Sequence, residues 1–253
     1  MGLFDKLFGR KDKDLAAEIT ASSDIVKESN HVVIDMSKSA ENLNKVLIDM
    51  SKDSKIDMSK HTARVALAMD YSGSMGWLFS DGSVQRTITR LLPIALKFDD
   101  NGELESWLFS NDCDRLVAVT IKNYKDYVRK VMERSHMRMG GTNYAPVLKD
   151  MVKYYKDIEP STVPAFIIFI TDGDNFDVNE TNKIIYELSN YNIFVQFIGI
   201  GDDDFSYLRS LDNMSGRKHD NTGFIAVKDM NQMSDEELYT EILKQYKEWL
   251  NNK

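Results

Sequence analysis

Two stretches of this chain are apolar almost without a break, Arg64 to Met69 (RVALAM) and Ala165 to Ile170 (AFIIFI). A strand with one face in water alternates apolar and polar residues. A strand that is apolar throughout must be covered on both faces, which occurs when helices flank a parallel sheet. The intervening pattern supplies such helices. A helix is expected over 84–96, with Pro93 inside it and able to bend it. Strands are expected at Glu103–Phe109 and Leu116–Thr120, with a turn at Asn101-Gly102 before the first. The gap between these two strands is too short for a crossover, so they pair antiparallel at an edge. Two helices follow, over Tyr124–Arg134 and Ala145–Asp157. Ala165–Ile170 should lie at the sheet centre. A helix over 178–190, a strand Ile193–Ile200, a short helix Phe205–Leu211 and a strand Gly223–Val227 complete the series. A last helix places Leu238, Ile242, Tyr246, Trp249 and Leu250 on one stripe. The reading is an α/β, doubly wound, mainly parallel sheet with one antiparallel edge strand.

The region before Arg64 has a different character. Leu3, Phe4, Leu7 and Phe8 fall on one face of a short helix, followed by Arg10, Lys11 and Lys13. Such a segment either touches a membrane surface or a partner, or caps the fold. Gly2 alone resembles a myristoylation signal, since Lys6 stands where Ser or Thr is needed. Three copies of one phrase come next: Ile34-Asp35-Met36-Ser37-Lys38, Ile48-Asp49-Met50-Ser51-Lys52 and Ile56-Asp57-Met58-Ser59-Lys60. The alternation Val32, Ile34, Met36 and Val46, Ile48, Met50 predicts a small N-terminal β segment. Asp35, Asp49 and Asp57 would then lie on its outer face, either solvated or binding a cation. The expected organisation is a segment 1–31, short β repeats over 32–62, and a main domain over 63–253.

In a parallel sheet, ligands bind beyond the carboxyl ends of the strands. Three loops leave such positions: Asp70-Tyr71-Ser72-Gly73-Ser74-Met75, Met139-Gly140-Gly141-Thr142-Asn143-Tyr144 and Thr171-Asp172-Gly173-Asp174-Asn175. Asp70, Ser72 and Ser74 alternate, so an extended loop points them one way. The candidate metal ligands are Asp70, Ser72, Ser74, Thr142 and Asp172. All are oxygens, which selects a hard cation such as Mg²⁺, Mn²⁺ or Ca²⁺. With only two carboxylates the ion stays electrophilic and would accept an acidic group from a protein partner. Asp174 could hold a metal-bound water or stand in solvent. Tyr71, Met75 and Trp77 flank the first loop, for packing or for partner contact. Asp202, Asp203 and Asp204 follow a strand end, where capping of the next helix and interaction with its dipole are expected over a second metal site.

Taken together, the three loops resemble the metal-ion-dependent adhesion site (MIDAS) of the von Willebrand factor A (vWA) family, over about residues 64–250. The family's Asp-x-Ser-x-Ser motif falls on Asp70, Ser72 and Ser74, its second-loop threonine on Thr142 and its third-loop aspartate on Asp172. Ile198-Gly199-Ile200-Gly201 also matches. VQRTITRLLPIALKFDDNGELESWLFS is similar to the TerF-like vWA proteins of the bacterial tellurite-resistance and stress-response group. The Ile-Asp-Met-Ser-Lys phrases resemble strand phrases of TerD-like domains, of which residues 32–62 would be a remnant. The resemblance implies a non-catalytic, metal-dependent protein-binding module.

A net charge of −8 argues against a nucleic-acid surface, which needs clustered Lys and Arg. A single cysteine, Cys113, suits a reduced cytoplasmic setting. No run reaches the roughly 18–20 apolar residues of a membrane span, which leaves residues 1–13 as the expected route to any membrane association. The four histidines are scattered, and Ser72 lacks both a base and a nucleophile elbow. The competing enzymatic reading is a Mg²⁺-dependent phosphatase of the haloacid-dehalogenase type, with Asp172 as nucleophile and Asp174 as acid/base. Asn175-Phe176 depart from that family's pattern.

Overall fold

The computed structural model describes residues 35–253. The amphipathic stretch 1–13, the polar stretch 14–31 and the start of the first repeat lie outside the described residues. Six strands form one sheet: β1 (Arg64–Asp70), β2 (Leu104–Phe109), β3 (Cys113–Val119), β4 (Ala165–Thr171), β5 (Ile193–Ile200) and β6 (Thr222–Val227). Their order is β3-β2-β1-β4-β5-β6. All neighbours are parallel except β2 and β3, which run antiparallel from the tight connection at Phe109 and Cys113. β1 and β4, the two apolar strands, occupy the centre. Chain order reverses between them, so this is the switch point of the sheet.

The helices are α1 (Met36–Lys52), α2 (Gly76–Ser80), α3 (Ser83–Phe98), α4 (Tyr127–Lys130), α5 (Ala145–Lys153), α6 (Val178–Leu188), α7 (Ser206–Asp212) and α8 (Asp235–Asn252). They cover both faces. Val65, Leu67 and Met69 of β1, with Phe166, Ile168 and Ile170 of β4, pack with residues of α1, α2, α3 and α8. Ala66 and Ala68, with Ile167 and Phe169, pack with α5, α6 and α7. Helix α3 continues through Pro93. The segment expected as one helix over 124–134 is two 3₁₀ turns flanking the four residues of α4, held by buried Tyr127, Val128 and Met132. Among the described residues, no helix is long and apolar enough to cross a membrane.

The expected N-terminal β segment is corrected. Met36–Lys52 is a helix, and the third phrase forms a 3₁₀ turn over Met58–Lys60. The Asp-x-Ser pattern is a capping device here. The Asp35 carboxylate accepts the Ser37 and Lys38 amides at 3.0 and 3.4 Å, and Asp57 accepts the Ser59 amide at 3.1 Å. Side chains that bond the backbone this way favour helix starts over strands. In the second copy Asp49 pairs with Lys52 on the helix surface. Val46 and Met50 are buried while Ile48 is 47% exposed, which is helical spacing. Alternation over three positions was too short to exclude it.

Helix α1 shares the main core, contributing Met36, Leu43, Val46 and Leu47. Ser39 donates to Asp235 at 2.6 Å, and buried Arg90 of α3 reaches the same carboxylate at 2.7 Å. His61, just before β1, shares a hydrogen bond with the Tyr246 hydroxyl of α8 at 2.9 Å and meets Phe98 edge-on. Burial lowers the His61 pKa to about 4, which keeps the ring neutral and able to accept.

Leu43→Ala should destabilise the whole fold by about 2–4 kcal/mol, read as a shifted midpoint of a single urea transition; an unchanged main transition would show that α1 folds apart from the sheet. The unfolded His61 takes up a proton below pH ~6.5 while the folded one resists until about pH 4. Stability from this group is therefore lost as pH falls. Asp70 and Asp99, each raised to about 6 by burial, act in the opposite direction. Between about pH 8 and pH 5 the wild type should lose about 2 kcal/mol more than His61→Gln. Equal losses would remove the assignment.

Candidate metal centre

The switch point places the ends of β1 and β4 side by side, and the first and third loops leave from there. Asp70 ends β1 and is fully buried. Its Oδ2 accepts the Thr171 hydroxyl at 2.6 Å, and its Oδ1 accepts the Ser72 amide at 2.7 Å. That second bond folds the loop so that Ser72 and Ser74 turn the same way, with their Oγ atoms 3.0 Å apart. Ser74 then donates to Oδ1 of Asp172 at 2.9 Å. Four of the five expected residues are thus joined in one hydrogen-bonded run, in which the Ser72 amide makes the link to Asp70.

Thr142 reaches the same end of the sheet by backbone contacts. Ser72 bridges Gly140, and the Gly73 amide donates to the Gly140 carbonyl at 2.9 Å. The Gly140-Gly141 pair packs directly on Asn111, whose side-chain oxygen accepts the Gly141 amide at 2.9 Å. A Cβ on Gly140 or Gly141 would stand 2.8 or 2.7 Å from the Asn111 side chain. The Thr142 carbonyl accepts the Phe176 amide at 3.0 Å. Its own hydroxyl makes no hydrogen bond to the other four residues.

Sequence reasoning missed three positioning residues. Thr171 sits inside the third motif beside Asp172, and its hydroxyl fixes Asp70. Asp177 accepts the amides of Tyr144 and Ala145 at 3.0 and 2.7 Å, so the third loop caps helix α5 and anchors the second loop. Asn111 wedges under the two glycines. Neither Asp177 nor Asn111 carries a local sequence signal, because each acts on a segment more than 25 residues away.

The flanking residues divide. Met75 is buried and Tyr71 packs edge-on against Phe79 at 4.9 Å, which is packing, while Trp77 is 59% exposed. Asp174 is exposed. Phe205, the N-cap residue of α7, makes no side-chain cap bond, and the expected capping by Asp202–Asp204 is not realised; the Tyr207 amide in the first turn is met instead by Asp174 of the third loop. Asp202 pairs instead with Lys228 at 3.1 Å, and Asp203 accepts the Asp204 amide at 2.6 Å. Gly199 and Gly201 serve the backbone. The Phe205 ring lies where a Gly199 Cβ would be, at 2.7 Å, and Gly201 adopts φ +117°.

Burial raises Asp70 to about 6 against the opposing bonds from Thr171 and Ser72, with the charge of Asp172 adding to the rise. Burial also raises Asp172, against the bond from Ser74. Among the described residues, neither carboxylate has a lysine or arginine paired with it, and no three carboxylate, imidazole or thiol groups converge as a metal cluster, here or elsewhere. Two close carboxylates with no counter-charge, among hydroxyl oxygens, suit a hard divalent cation.

A model of the vWA-TerF-like family, described as the vWA found in the TerF C terminus, matches residues 62–253. Protein YcbR of Bacillus subtilis (strain 168) is 39% identical over 198 residues, which cover 78% of this chain and 81% of that protein. Among solved structures, the manganese-loaded TRAP protein of Plasmodium vivax is similar at a TM-score of 0.56 and 16% identity, covering 74% of each chain. Proximal thread matrix protein 1 of the mussel byssus, with a zinc-occupied MIDAS motif, is similar at 0.55 and 16% identity. That match covers 75% of this chain and 46% of the mussel protein, so this chain spans about half of its length. At these identities the structural likeness is one of fold. Neither the family match nor these structures support the phosphatase reading. The chain belongs to the TerF-like group of vWA domain proteins.

Proposed function

We propose that this protein is a non-catalytic binding module in which Asp70, Ser72, Ser74, Thr142 and Asp172 hold one divalent cation that captures an acidic side chain of a partner protein. The observation that carries this reading is the hydrogen-bonded run from buried Asp70, through the Ser72 amide and the Ser72 and Ser74 hydroxyls, to Asp172 at the switch point. Domains of this kind are generally interaction modules, and two relatives in fold carry manganese or zinc, the latter in a MIDAS motif. The cation proposed here is Mg²⁺, with Mn²⁺ or Ca²⁺ as substitutes.

The residues divide the work. Ser72 and Ser74 offer neutral oxygens, which leave the ion with unspent charge. Asp70 and Asp172 contribute directly or through water. Thr171 holds Asp70 in orientation, and Asp177 and Asn111 hold the second loop where Thr142 can approach. A bound cation supplies a positive centre that a partner carboxylate can complete. The TerF-like assignment supports a place in a tellurite-resistance or stress-response system, with protein capture as the task performed there.

Titration calorimetry with Mg²⁺, Mn²⁺ and Ca²⁺ tests the site. Asp70→Ala should weaken binding by more than about 100-fold, while Thr171→Val, which removes the hydroxyl that orients Asp70 and also meets Tyr144 and Gly173, should cost about 10–100-fold. Wild-type affinity retained in a folded Asp70→Ala protein would refute the ligand set. Asp177→Ala should lower stability by about 1–2 kcal/mol through loss of the helix cap and weaken metal binding as well; a stability loss with unaltered metal affinity would leave Asp177 a structural residue only.

A further inference from the structure

The end of the sheet that carries the metal centre is not chemically symmetric. Along the strand order, the loop after β2 lies on one side of the centre and the loop after β5 on the other. On the β2 side, Asn111 supports Gly140 and Gly141, and the Phe176 ring lies over Gly141, where an added Cβ would meet it at 3.1 Å. Phe176 is 82% exposed, the most exposed of the large apolar side chains described. Met139, 41% exposed, rests against Gly76, with its Sδ 3.4 Å from the position of a Cβ there. Single exposed apolar residues are ordinary. Two of them bordering one polar site, each resting on a glycine that leaves room for it, form the apolar half of a rim.

On the β5 side the rim is acidic. Asp203 Oδ2 lies 3.8 Å from the Cβ position of Gly173, between the loops, and Asp174 and Asp204 stand beside it. All three are exposed, and no ion pair forms to Asp174, Asp203 or Asp204 among the described residues. Their combined negative charge repels a purely acidic partner. It suits a partner that places positive charge there while its carboxylate reaches the centre.

We infer that the partner presents a carboxylate flanked by two unlike neighbours, a bulky apolar side chain that covers Phe176 and Met139 and a Lys or Arg that meets Asp174, Asp203 and Asp204. This rests on the metal-capture reading above and gives it a direction. The carboxylate supplies the metal-dependent attraction, and the neighbours fix which acidic residue is chosen and which way the segment lies.

The test uses a displayed library of random peptides with a central Asp, selected on the full-length protein in Mg²⁺ and released with EDTA. Released peptides should be enriched in Phe, Leu, Met or Trp on one side of the Asp and in Lys or Arg on the other, with the same polarity throughout. For a fluorescent peptide of the enriched sequence at saturating Mg²⁺, Phe176→Ser should weaken binding about tenfold at any salt concentration. The double variant Asp203→Lys/Asp204→Lys should weaken it about tenfold at low salt and much less at high salt. Both substitutions fall on exposed residues, and circular dichroism of each variant checks the fold. EDTA-released peptides without flanking preference, or variants that bind as the wild type does, would overturn this inference while leaving metal capture intact. A selection that yields no EDTA-released peptide would overturn both.

Discussion

One carboxylate governs the arrangement: Asp70 at the end of the central strand β1. It is fully buried, and its two oxygens are engaged from different directions. Thr171 at the end of β4 holds one, and the Ser72 amide holds the other. The first bond ties the two middle strands together at the switch point, and the second gives the first loop its shape. The placing of Ser74 against Asp172 follows from these two contacts. Without a cation the cost of burying this charge shows in its pKa, raised to about 6. A divalent ion at the proposed site would offset that cost.

The rest of the molecule positions this point. Apolar β1 and β4 exist to be covered on both faces, and covering them brings α3 and α8 to one side and α5 and α6 to the other. Helix α5 starts beneath the second loop because Asp177 of the third loop caps it. Each loop is therefore fixed by a residue from another loop. This mutual bracing joins the three loops at the carboxyl ends of β1 and β4.

The sheet was legible in the sequence because RVALAM and AFIIFI carry a signal that only double coverage explains. The first and third loops were legible because their residues are contiguous with those strands. The helical state of the N-terminal repeats was not legible in the same way. Ile48 and Met50 look like one strand face by alternation, whereas the chain buries Met50 with Val46 and exposes Ile48, and the aspartates of the first and third phrases cap helical turns. A capping Asp and a strand-surface Asp look alike until tertiary packing decides between them. Thr171, Asp177 and Asn111 were passed over for a related reason. Their partners lie at least 30 positions away, and no local pattern encodes a contact of that range.

The central claim is that the oxygens of the three loops form a single cation site. Anomalous diffraction from crystals grown with Mn²⁺ tests this most directly. The expected result is one strong peak at the carboxyl ends of β1 and β4, within about 2–2.5 Å of the Ser72 and Ser74 hydroxyls, and absent in Asp70→Ala. A map with no peak there, or with manganese only at Asp202–Asp204, would contradict the account.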